Sequence, residues 1–245
     1  MDRRQRHDEK LEFCILWIAE FQVSTSSILC EAMRLKRENQ GHFLKSLSDK
    51  GLVQRVRHPI IKEDILILTH DGRLRASMLT ARADSYSMVP SKAVKVTTIH
   101  DLSVQRAVLS KFDIQMKRDF GVTHERHIAD VDRSKRPDAL VDDHGSVVAV
   151  EVELTQKSSK RVYTAFFNHL DQMRAGHYER VVYFFPNDSL LSSYQKLFDK
   201  DRWPMFERKP DGKLVQKIQG GELLFADTSS PALRGRFAFS LVEQY

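Results

Sequence analysis

Arg136-Pro137-Asp138-Ala139-Leu140 and Val147-Val148-Ala149-Val150-Glu151-Val152-Glu153-Leu154 are two short apolar runs on either side of an Asp143-His144-Gly145 turn. Side chains at i and i+2 of a strand point the same way. Glu151 and Glu153 therefore share one face of the second run, and Val150, Val152 and Leu154 fill the other. If the runs pair as a hairpin, Asp138 lies beside Glu151. Three carboxylates gathered at one sheet edge repel each other, and a hard divalent cation is the usual compensation. Taken alone, Glu151 and Glu153 are better read as the solvated face of an edge strand, with Lys157 and Lys160 as salt-bridge partners. The preceding Pro-Asp, the hairpin spacing and the basic N-terminal segment shift the balance to the cation.

The whole chain has 245 residues, enough for one or two domains, and its 41% hydrophobic and 29% charged content is that of a soluble globular protein. No apolar run approaches the length of a membrane-spanning helix. The basic start, Met1 to Lys10, leads into a segment interrupted by Glu12 and Glu20, which does not read as a signal peptide. A cytoplasmic protein without a membrane partner is expected. Cys14 and Cys30 both fall in apolar helical patterns without a zinc spacing, so buried thiols are expected.

The formal charge is +6, and its distribution is uneven. Between Arg34 and Arg57, Lys36, Arg37, Lys45, Lys50 and Arg55 add to those two, while only Glu38 and Asp49 oppose them. A local basic excess of this kind suits a polyanionic partner. The same region has a regular pattern. Phe13, Ile15, Leu16, Ile18 and Ala19 have helical spacing, and Ile28, Leu29, Ala32 and Met33 continue as a second helix after a Ser/Thr cap. A third helix from near Asn39 through Ser48 ends at Gly51. Residues 52–57 and 64–68 read as two strands of a hairpin, and residues 69–79 as a closing helix. Three helices, a hairpin and a closing helix describe a winged helix over residues 1–80. The segments 42–56 and 66–77 resemble the recognition helix with its first wing strand, and the second strand with its following helix. The third helix would enter a major groove, with Gln40, His42, Lys45 and Ser46 facing outward. Lys36, Arg37, Arg55 and Arg57 would meet phosphates.

Residues 81–96 are polar, lack periodicity, contain Pro90 and read as a linker. From residue 97 to 245 the pattern is a helix beginning near His100, strands around 127–129, 139–142 and 146–154, a helix over 159–173, a buried strand over 180–186 and a helix over 188–198. A further strand is expected at 223–226. This is a mixed α/β (α+β) domain with a mixed sheet flanked by helices. The chain has no Gly-rich phosphate loop, no G-x-S-x-G elbow and no H-E-x-x-H helix.

The order α-β-β-β-α-β, with Pro137-Asp138 on one strand and Glu151-x-Glu153 on the next, resembles the PD-(D/E)xK nuclease fold of restriction endonucleases and Holliday-junction resolvases. That resemblance implies that Asp138 and Glu151 bind Mg2+ or Mn2+. It also implies a Lys two residues after the Glu, where this chain has Glu153. Lys157 or Lys160 would then supply the ammonium, or Glu153 would bind metal or act as a base. The combination of a winged helix with the segments 99–108, 136–141 and 148–163 is narrower. It resembles the replication-relaxation family and the MOBC class of plasmid mobilisation relaxases. Membership implies recognition of a plasmid transfer origin, nicking of one strand, and coupling or accessory mobilisation proteins as partners. By the same match His100 joins the catalytic set, and Gln105 lies near it.

The chemistry stands without the family. A divalent ion held by Asp138 and Glu151 acts as a Lewis acid and activates water, while Lys157 neutralises charge developing on the phosphate. Tyr163 is an alternative nucleophile, although its spacing with Phe166, Phe167 and Leu170 favours packing. His124 and His127 read as a chance pair, Trp17 as core, and Trp203 as either a loop anchor or a stacking residue. The competing functions are a non-catalytic winged-helix regulator or replication initiator with a degenerate nuclease fold, and an ordinary restriction or repair nuclease.

Overall fold

The computed structural model describes residues 2–36, 38, 40–80, 97–128 and 136–243. The linker expected over 81–96 and the predicted phosphate contact Arg37 lie outside the described residues. The chain divides into two compact units, Met1–His127 and Ile128–Glu243.

The first unit is built on helix α1 (Arg3–Phe21), from which Phe13, Ile15, Leu16, Trp17, Ile18 and Phe21 are buried. Strand β1 (Ser24–Thr25) leads into α2 (Ser26–Ala32), where the Thr25 side chain accepts from the Ile28 amide as an N-cap. Helix α3 (Gly41–Asp49) buries Phe43, Leu44 and Leu47, and the left-handed Gly51 follows its C-cap. Strands β2 (Val53–Val56) and β3 (Ile65–Leu68) form the expected hairpin, and β1 adds to it to give the order β1-β3-β2. Between the strands His58 Nδ1 accepts from the amides of Ile60 and Ile61 at 3.2 and 3.1 Å, which folds the connection tightly.

Helix α4 (His70–Leu79) is capped by Thr69, whose hydroxyl accepts from the Gly72 amide at 3.1 Å. Gly72 has a steric reason: a Cβ there would lie 2.0 Å from the Leu52 carbonyl oxygen. Helix α5 (Thr98–Lys111) and strand β4 (Val122–His124) complete this unit. The strand expected at 127–129 is absent as such: residues 125–127 form a 3-10 turn directly after β4, and residue 129 lies outside the described residues. Cys14 and Cys30 are buried free thiols, as their patterns suggested.

The second unit carries the mixed sheet. Strands β5 (Ala139–Asp143) and β6 (Ser146–Val152) are antiparallel, with Ala139 opposite Val150 and Asp143 opposite Ser146. The two loop residues His144 and Gly145 have φ of 56° and 90°, the left-handed pair that a tight hairpin needs, and the Gly145 amide donates to Asp142 Oδ1. Helix α6 (Ser159–Arg174) then crosses to β7 (Arg180–Phe185), which lies parallel to β6. Helix α7 (Asp188–Phe198) has Asn187 as N-cap.

After α7 come three short antiparallel pairs. Strand β8 (Arg202–Pro204) pairs with β13 (Phe225–Asp227), β9 (Phe206–Arg208) with β10 (Leu214–Gln216), and β11 (Ile218–Gln219) with β12 (Glu222–Leu223). The single strand expected at 223–226 is thus broken at Leu224. A short helix α8 (Pro231–Arg234) leads into β14 (Phe237–Leu241), which runs parallel to β7. Within this unit the strands are ordered β14-β7-β6-β5.

Helices α6 and α7 cover one face of this sheet. Val162, Tyr163, Phe166 and Leu170 from α6 pack with Tyr183, Phe185, Tyr194, Phe198, Trp203 and Phe237. Trp203 is core, its indole N–H donating to the Phe198 carbonyl at 3.0 Å. Tyr163 is core as well, with its hydroxyl on the Leu197 carbonyl at 3.2 Å. None of the helices among the described residues is long and apolar enough to cross a membrane.

Candidate functional site

The β5–β6 hairpin does to the acids what its pattern predicts. The Asp138 amide donates to the Val150 carbonyl at 3.0 Å, which extends the pairing one residue beyond β5 and sets Asp138 opposite Glu151. The Asp138 carboxylate turns back onto the neighbouring strand, where Oδ2 accepts from the Val152 amide at 2.7 Å. Asp138, Glu151 and Glu153 are 8%, 1% and 2% exposed, which excludes a solvated strand face. Glu151 lies beside Tyr183 of β7 and so belongs to the sheet face covered by α6 and α7.

Each of the two glutamates meets a base from a different element. Lys157 Nζ, from the loop before α6, donates to Glu153 Oε1 at 2.6 Å. The Lys157 side chain is about a third exposed, so one end of the pair is wet and the other is dry. His169 of α6 sets Nε2 3.3 Å from Glu151 Oε1, and its Nδ1 lies 2.6 Å from the Tyr178 hydroxyl. Both the imidazole and the Tyr178 ring are buried.

Three phenols surround the carboxylates. Burial, followed by the negative charge of Glu151, raises the Tyr178 pKa. Burial and then Glu151 and Glu153 hold Tyr183 well above the usual phenol range. Burial followed by Glu153 and Glu151 does the same to Tyr194. These groups stay protonated and serve as hydroxyl dipoles, not as phenolates. Among the described residues no hydrogen-bond partner is found for the buried Tyr183 hydroxyl.

The donor set suits a hard cation in part. Carboxylate oxygens are what Mg2+ and Mn2+ prefer, and Mg2+ commonly takes only one or two protein carboxylates, completing its shell with water and phosphate oxygen. Asp138 and Glu151 meet that requirement, whereas Glu153 is engaged by Lys157. Among the described residues no three His, Cys, Asp or Glu side chains form a metal-holding cluster by themselves.

The remaining predicted residues belong to the first unit. His100, on the first turn of α5, has Nδ1 3.9 Å from Asp101 Oδ1. The same buried Asp101 receives Arg126 Nη2 at 2.8 Å and lies 3.9 Å from His124 Nε2, so His124 has a structural setting that its spacing did not suggest. Burial lowers the His124 pKa to about 3, against the opposite pull of Asp101. Gln105 is fully buried. Its amide is buried, accepting from Trp17 Nε1 and Ser24 Oγ and donating to the Val23 carbonyl.

Of the expected DNA contacts, Lys36, His42, Lys45, Arg55 and Arg57 are exposed. Arg57 is shared with Asp64 across the hairpin at 3.5 Å. Ser46 is half-buried and its hydroxyl donates to the Phe43 carbonyl within α3. Gln40 is a correction: expected to face outward, it is 9% exposed at the N-cap of α3, where its carbonyl accepts from the Leu44 amide. His169, Tyr178, Tyr183 and Tyr194 join these carboxylates with no motif in the sequence to mark them as site residues. No family model matches the chain, nor does any curated protein or solved structure.

Proposed function

We propose that the chain is a metal-dependent DNA endonuclease that nicks one strand at a plasmid transfer origin, in the manner of the MOBC-class mobilisation relaxases. In this reading the first unit is a winged helix that holds duplex DNA, and the second is a PD-(D/E)xK-type nuclease domain. The single observation that carries the proposal is the pair Asp138 and Glu151, set opposite each other in register and almost fully buried on one sheet face. Burying two carboxylates side by side in a predominantly apolar core is costly unless positive charge or hydrogen bonds compensate.

Asp138 and Glu151 would hold Mg2+ or Mn2+, which when bound supplies Lewis acidity and an activated water. The Val152 amide orients Asp138 through the hydrogen bond at Oδ2. Glu153, standing where the nuclease pattern takes Lys, anchors Lys157 instead. The Lys157 ammonium is then the cation that meets negative charge growing on the phosphate. Exposed Lys36, Lys45, Arg55 and Arg57 of the first unit supply the sequence-independent affinity for the DNA backbone, and exposed His42 faces the groove. Coupling or accessory mobilisation proteins are the partners this reading implies.

A second reading is a DNA-binding regulator or replication initiator that has lost cleavage. It is favoured by one feature, the replacement of the pattern lysine by Glu153. Incubating supercoiled plasmid that carries the transfer origin with protein and Mn2+ separates the two. The nuclease yields open circles, which EDTA prevents, and Asp138→Ala or Glu151→Ala stops the conversion while gel retardation persists. Retardation of plasmid that stays supercoiled would establish the regulator. Cleavage of both strands, or of plasmid lacking the origin, would point to an ordinary nuclease.

A further inference from the structure

Helix α6 contributes Tyr163, Phe166 and Leu170 to an apolar core, yet it also buries His169 among them. The ring packs edge-on against Tyr178, Tyr183 and Phe237. Both of its nitrogens nevertheless face polar atoms, the Tyr178 hydroxyl at 2.6 Å and Glu151 Oε1 at 3.3 Å. The two ends are chemically unequal. An ionised carboxylate offers only acceptors, so it favours a proton on Nε2. With that proton in place and the ring uncharged, Nδ1 is an acceptor and the Tyr178 O–H donates to it. The ring plane is held from the Tyr178 side, and Nε2 stands 3.3 Å from one oxygen of Glu151, in ion-pair range but without the alignment of a hydrogen bond.

We propose that His169, held by Tyr178, is a positioning residue that fixes the Glu151 carboxylate for a divalent cation. This rests on the nuclease reading above and adds to it a group that the Asp and Glu pattern does not contain. The choice of imidazole has a physical reason. A guanidinium or ammonium in that place would orient Glu151 equally well but would carry a permanent charge and compete with the cation for the carboxylate. An imidazole set against Oε1 restricts the carboxylate rotamer without adding a permanent charge, which leaves the carboxylate available to a metal. Partners behind a metal ligand that fix its orientation typically change metal affinity by about 10- to 100-fold when removed.

The test is Mn2+ binding to the full-length protein, measured by calorimetry in the absence of DNA, with circular dichroism and gel retardation as checks of folding. Wild type binds Mn2+ and Glu151→Ala does not. His169→Leu, which removes both nitrogens, should weaken the Mn2+ Kd by about 10- to 100-fold. His169→Gln, which restores a donor, should recover most of that loss. Tyr178→Phe keeps the ring and removes only the hydroxyl, and it should weaken binding by several-fold. An unchanged Kd in a folded His169→Leu protein overturns the proposal. If that variant fails to fold, an unchanged Kd in Tyr178→Phe overturns it. A wild type that binds no Mn2+ overturns the metal reading itself. That outcome is distinct from a wild type and a His169→Leu variant that bind equally.

Discussion

Lys157 donates to Glu153 at 2.6 Å across a four-residue interval, from a loop to the end of a buried strand run. The glutamate is dry and the lysine about a third exposed, so the carboxylate acts as a fixed post and the ammonium as its movable arm. If this pair replaces the usual lysine of the nuclease pattern, its two members act as one unit. Lys157→Ala and Glu153→Gln should each lower the nicking rate by about 100- to 1,000-fold, in the range of a lost charge-stabilising group. The double substitution should cost little more than either single one. Single-turnover nicking rates for the four proteins check this, and losses that multiply would show that the residues act separately.

The exposed cations of the first unit give a prediction about salt. Lys45→Ala and Arg55→Ala should each weaken DNA binding and make the slope of log affinity against log salt shallower by about one unit. Arg57→Ala should do less, because Asp64 already shares its charge. Ser46→Ala should be nearly silent, since its hydroxyl serves the helix backbone. Fluorescence anisotropy with a labelled duplex between low and moderate salt measures all four.

His124 predicts how stability depends on pH. Its pKa of about 3 in the folded chain lies below the ordinary value of 6.5. Between these two values the unfolded chain binds a proton that the folded chain does not. The stabilisation is therefore complete above about pH 6.5 and is lost as the pH falls toward 3, at no more than about 1.4 kcal/mol per pH unit. His124→Phe should flatten the acid limb of a plot of melting temperature against pH. An acid limb identical to wild type would assign the loss to other groups.

Gly72 tests the packing of the first unit. A methyl group there would sit 2.0 Å from the Leu52 carbonyl, and backbone at both places is held by the Thr69 cap and the Thr69 amide bond to Leu52. Gly72→Ala should destabilise the protein by about 1–3 kcal/mol, as overpacking does. The usual gain from replacing a helical glycine should not appear. Urea unfolding of the two proteins measures the difference.

Much of the second unit could be read directly from its residues. The period-2 pattern of 147–154 fixed which face Glu151 and Glu153 share, and Pro137-Asp138 with the His144-Gly145 turn fixed what lies opposite. The helix over 159–174 was equally plain from its 3.6-residue spacing. His169 was hidden by that same spacing, because a polar residue among Phe166, Leu170 and Met173 is indistinguishable from helix packing until the strand beneath is known. Tyr178 sits in a connection without periodicity. Gln40 is polar yet buried, because the start of α3 is packed. The strand expected at 127–129 was displaced because β4 is only three residues long and carries little apolar signal.

The two-residue loop of His144 and Gly145 sets more than the shape of a hairpin. Side chains alternate along a regular strand, so a one-residue change in that connection that slipped the register would turn every carboxylate of the partner strand through the sheet. Asp138 would then oppose a valine, and the acids would be dispersed without any one of them being mutated. The chemistry proposed for this protein is thus as vulnerable to the length of a solvent-facing loop as to the identity of the residues that perform it.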